Sequence, residues 1–137
     1  MTRILVPTDF SERAGRAATW ARETFPDAEV RLLHVLDAVA LHAPSVTAPG
    51  GSYVLAGGGL EVQHTFEGEA HERLQRLGGG ELLVGRPEDE ILRYAEAGRF
   101  DLIAVGVTGL GGADRGGLGH VTERLARESR VPVVVVQ

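Results

Sequence analysis

The chain has 137 residues, 43% of them hydrophobic, with 14 basic against 19 acidic side chains and a formal net charge of −5. That balance suits one globular domain spanning 1–137 and argues against global disorder. There is no Cys, and all 14 basic residues are Arg, so disulfides, thiolate chemistry, Schiff bases and the Lys-dependent P-loop are excluded.

An acidic chain offers no basic face for a phosphate backbone. No apolar run approaches the ~20 residues of a membrane span. The N-terminus passes straight into a strand pattern rather than a signal peptide. The expectation is a cytoplasmic protein with neither nucleic-acid nor membrane partners.

In chain order, Ile4-Leu5-Val6 predicts a first strand, stopped by Pro7. Ser11 can cap a helix whose inner face reads Ala14, Ala17, Ala18, Ala21 and Phe25. Val30 to Leu36 predicts the second strand. Residues 38–60 hold Pro44, Pro49 and several Gly; this stretch is too long for a connecting turn and is expected to be a flexible surface loop. Val62, Phe66, Ala70, Leu74 and Leu77 are spaced for a second helix. Gly78-Gly79-Gly80 links it to a third strand, Leu82-Leu83-Val84. Pro87 suits the first residue of a third helix, with Glu88, Asp89 and Glu90 at its positive end and Gly98 as its stop. Leu102 to Val105 is the fourth strand, Val121 to Glu128 a fourth helix and Val133 to Val136 the last strand.

Strands that are apolar at nearly every position are buried on both faces, which is the mark of a parallel sheet. Strands alternating with helices then predict an α/β fold with one open parallel sheet.

The segment 106–119 is half glycine, begins at a strand end and finishes at a helix start. Ligands of open α/β sheets bind at such a place. Glycines let main-chain amides approach an anion, and the helix beyond offers unpaired N–H groups. The segment is either a phosphate cradle or a loop whose glycines merely permit turns. It fits neither GxxxxGK[ST] nor a GxGxxG turn.

Gly106-xx-Gly109-x9-Gly119 resembles the glycine signature of the universal stress protein family. Ile4 through Ser11, Leu33-His34-Val35, Gly85-Arg86-Pro87, Asp101 through Gly106, and Val121 through Val136 resemble that family's other segments in order. The resemblance spans the chain apart from 38–60. It implies sheet order 3-2-1-4-5 with helices on both faces, and ATP, with Mg²⁺ on its phosphates, across the crevice between the first and fourth strands. Pro7, Thr8 and Asp9 would then line the adenine side, with Val35 packed on the ring. Gly106 and Gly109 would lie under ribose and phosphates, and Gly119, His120, Val121 and Thr122 would hold the phosphates.

His120 stands where the family has Ser or Thr; a small hydroxyl donor is replaced by a larger imidazole that could crowd the site or donate in its place. The resemblance also implies a homodimer through the last strand. The function expected is an ATP-binding stress-response sensor, the alternatives being a dimeric interaction protein that binds no nucleotide and a slow ATPase. No catalytic set and no metal site emerges. His64 and His71, seven apart on the second helix, are expected to be solvated, as are Arg124, Arg127 and Arg130. His34 is expected to be a packed, hydrogen-bonded strand residue, and Arg115, beside Asp114, a possible phosphate contact.

Overall fold

A strand with an unbroken apolar run has to bury both faces of that run. In the computed structural model, which describes residues 1–37, 59–107 and 119–137, β1 (Arg3–Pro7) does so, and Ile4, Leu5 and Val6 are each 0% exposed. The other elements are α1 (Glu12–Thr24), β2 (Glu29–Asp37), α2 (Gly59–Arg76), β3 (Glu81–Gly85), α3 (Pro87–Ala97), β4 (Leu102–Gly106), α4 (His120–Glu128) and β5 (Val133–Val136). The five strands form one parallel sheet in the order β3-β2-β1-β4-β5.

Period-2 alternation sends neighbouring side chains of each strand to opposite cores. Ile4, Val6, Leu32 and Ala104 pack with Ala17, Ala18 and Ala21 of α1 and Leu74 of α2. Leu5, Leu33, Val35, Ile103 and Val105 pack with Ile91 and Ala95 of α3 and with Val121 and Leu125 of α4. Each face of the sheet therefore carries two helices, as expected.

α1 approaches the sheet through alanines, which bring its backbone close. A Cβ on Gly106 would lie 2.9 Å from the Arg13 carbonyl oxygen. Gly106 is thus required by helix–sheet packing, whatever it does for a ligand.

One boundary differs from expectation. α2 begins at Gly59, so the last two residues of the stretch expected to be loop are helical; once Ala70 and Leu74 anchor a helix, each residue added at its N-terminus closes a further bond at little cost. Residues 38–58 lie outside the described residues. Arg127 and Arg130 are solvated as expected, with side chains 69% and 84% exposed in surface ion pairs to Glu123 and Glu96, while Arg124, 35% exposed, pairs with Glu88 and Asp89 of α3 and with Glu128. Sequence spacing shows the pairs four apart on one helix but not those that join two helices.

Candidate functional site

Sheet order 3-2-1-4-5 sends the chain out of β1 and β4 to opposite faces, opening a crevice at their carboxyl ends. Eight of the described residues line it: Pro7, Asp9, Ser11, Ala14, Val105, Gly106, Val121 and Thr122. Five of these were expected from the sequence. Ser11, Ala14 and Val105 were not, because which residues a helix start turns toward a neighbouring strand is a tertiary matter. The crevice is narrow, enclosing about 10 Å³, on the order of one water.

The β1 side is a tight turn built from short side chains. Asp9 Oδ1 accepts from the Ser11 N–H at 2.9 Å, and Ser11 Oγ in turn accepts from the Ala14 N–H at 3.2 Å, capping α1. Phe10 between them has φ 67°, a left-handed conformation that costs a residue with a Cβ about 1–2 kcal/mol. Thr8, 3% exposed, lies behind the turn. Its N–H donates to the Leu33 carbonyl at 2.8 Å, its carbonyl accepts from His34 Nδ1 at 2.7 Å, and its hydroxyl oxygen accepts from the Phe10 N–H at 3.0 Å.

A carbonyl only accepts, so His34 carries its proton on Nδ1. Burial pushes the His34 pKa below its ordinary value, against the Thr8 bond and the charge of Asp9, which favour the protonated ring; Arg73 nearby adds to the lowering.

The β4 side is the start of α4. Gly119 is the N-cap, and the first helical bond runs from the Glu123 N–H to its carbonyl at 2.8 Å. The amides of His120, Val121 and Thr122 precede that bond and lie outside the helical ladder. No side chain caps them among the described residues. Thr122 is 0% exposed, and its hydroxyl donates to the Gly106 carbonyl at 3.1 Å. It ties β4 to α4, so what Thr122 presents at the helix start is its main-chain amide.

Val35 lies near the end of β2 with its side chain in the core. His120 is exposed and lines a different groove, between α3 and α4, with Glu88, Glu123, Arg124, Arg127 and Glu128. Gly109, Asp114 and Arg115 lie outside the described residues. His64 and His71 border a shallow depression with Glu67, Gly68 and Leu82. Among the described residues no three His, Cys, Asp or Glu side chains are grouped to hold a metal, and no helix is long and apolar enough to cross a membrane.

Comparison with known proteins places this geometry among relatives. The family model described as Universal stress protein family matches residues 1–137. A universal stress protein of Methanocaldococcus jannaschii is 34% identical over 98% of this chain and 81% of its own length. The structure of the universal stress protein UspA from Lactobacillus plantarum is similar with a TM-score of 0.71, at 25% identity over 99% of this chain and 97% of that one. Two structures share the fold at lower identity. One is a universal stress protein in complex with cAMP, at TM-score 0.59 and 24% identity over 99% of this chain and 97% of that one. The other is a universal stress protein family protein of Arabidopsis thaliana with AMP bound, at TM-score 0.52 and 22% identity over 99% of this chain and 91% of that one.

Proposed function

The chain belongs to the universal stress protein family, and we propose that it is a nucleotide-binding member whose ligand is ATP, acting as a sensor in the stress response. One observation carries this reading: the N-terminus of α4, which no side chain caps among the described residues, lines the crevice with Gly106 and Asp9. Helix-start amides suit an anion in geometry and in charge. The donor set fits a phosphate, and neither Gly106 nor Gly119 puts a Cβ in its way.

The amides of His120, Val121 and Thr122 would take the phosphates, and by the family resemblance Gly106 and Gly109 would lie under ribose and phosphates. Asp9, with Pro7 beside it, would accept from the exocyclic amino group of adenine. Thr8 and Val35 would support that side from behind. Mg²⁺ would ride on the phosphates, since no described carboxylate cluster is built for it. The fold is one on which other proteins hold cAMP and AMP. We assign no catalytic residue: Asp9, the one carboxylate among the described residues lining the crevice, is given to the adenine side, and a slow ATPase would need a base or charge clamp at the phosphates.

The alternative is an interaction protein that binds no nucleotide. The narrowness of the crevice favours it, as does His120 in place of a hydroxyl donor. In either case we place a homodimer at β5, a half-buried, all-Val edge strand that pairs on one side with β4.

Mass spectrometry of gently purified protein, followed by calorimetry with ATP and Mg²⁺, tests the assignment. Retained nucleotide or saturable heat supports it. Clean protein and no heat at millimolar ATP select the interaction protein. Light scattering at micromolar concentration should give twice the chain mass, and a monomer mass would remove the dimer.

A further inference from the structure

The turn that presents Asp9 is held from behind. The His34 and Phe10 rings lie 4.4 Å apart between centroids, inclined by 35°. The Arg73 guanidinium of α2 lies 5.4 Å from the Phe10 centroid. Three elements, β2, the turn and α2, thus meet in one stack. His34 itself stands on a rigid base: β2 is paired on both sides, Leu33 with Pro7 and Glu81, and His34 with Leu82.

We propose that His34 is a positioning residue of the nucleotide site, its Nδ1–H tethering the Thr8 carbonyl and its ring, with Phe10 and Arg73, holding the turn so that Asp9 faces the base. This deepens the nucleotide-binding reading and rests on it.

Phe10 at positive φ does not stay there by its own preference. The bond to Thr8 and the stacked rings supply what holds it. With both main-chain groups of Thr8 engaged, the turn has one arrangement, and Asp9 inherits its direction. The tether does not act as a proton switch. Nδ1 carries hydrogen in both the neutral and the charged ring, so the bond survives protonation even with Asp9 and Arg73 as the charged neighbours.

Side-chain geometry gives a test. Asn places its amide nitrogen near the position of Nδ1, whereas Gln places it near Nε2. Wild type, His34→Asn, His34→Gln and His34→Leu are titrated with ATP and Mg²⁺ by calorimetry, and their amide exchange is followed by NMR. His34→Asn should bind within about twofold of wild type, while Gln and Leu weaken binding about 5- to 10-fold, the worth of one hydrogen bond. Exchange at Phe10 and Ser11 should quicken in the Gln and Leu variants and not in Asn, with β5 unchanged in all. Three variants that bind alike, or affinity that follows thermal stability without rescue by Asn, overturn the proposal. If wild type binds no ATP, the function reading falls by itself. The exchange data then decide the tether, and equal exchange at Phe10 in all four proteins removes it.

Discussion

Thr122 illustrates how one side chain can serve architecture at a site where its backbone serves a ligand. Its buried hydroxyl donates to the Gly106 carbonyl, and leaving a buried acceptor unpaired costs about 1–3 kcal/mol. Thr122→Val, equal in shape, should therefore lower the unfolding free energy by an amount in that range, read in urea as a lower midpoint with an unchanged m-value. His34 makes a prediction in pH. Its folded pKa lies below the ordinary imidazole value, so between the two values the unfolded chain binds more protons. Stability then rises with pH, and the contribution of the neutral ring is lost as pH falls from the ordinary value through the depressed one. Denaturation at pH 8, 6.5 and 5 should show this slope in wild type and less of it in His34→Asn. The sequence suggested a hydrogen-bonded strand histidine, but not its partner, because Thr8 is 26 residues away.

Among the elements, α1 and α4 start by different means. α1 has a side-chain cap, Ser11, stacked on the Asp9 turn. Ser11→Ala should cost ~1 kcal/mol in chemical denaturation and loosen the turn behind it. α4 starts on Gly119 with no side-chain cap among the described residues, which leaves donors for an anion. The ion pairs joining α3 to α4 through Arg124 matter less than their number suggests. They are solvent-accessible, so Arg124→Ala should cost under about 1 kcal/mol, and the loss should shrink further in high salt. The elements themselves were legible because each carries its own punctuation: Pro7 ending a strand, Pro87 opening a helix, Gly98 closing one. The start of α2 was not, since glycines before Leu60 conceal the extra residues that propagation from the anchored helix adds.

For the whole molecule, ligand binding and folding are linked. If ATP binds as proposed, 100-fold its Kd should stabilise the protein by about 2.7 kcal/mol, read as a rise in melting temperature that GTP does not match. The arrangement of strands, near-continuous apolar runs separated by helices, is written in composition and spacing, and so is the class of fold. The glycine positions carried the family resemblance, and with it the strand order that the sheet displays. What residue spacing could not reach are the contacts between elements distant in the chain. These include Gly106 against the Arg13 backbone, the hydroxyl of Thr122 turned inward to β4, His120 facing the α3–α4 groove, and Phe10 pinned between His34 and Arg73. Local sequence dictates periodicity because neighbouring dihedrals and burial preferences are set within a few residues. Where a side chain points once two elements dock depends on the partner surface, and that surface exists only when the chain is folded.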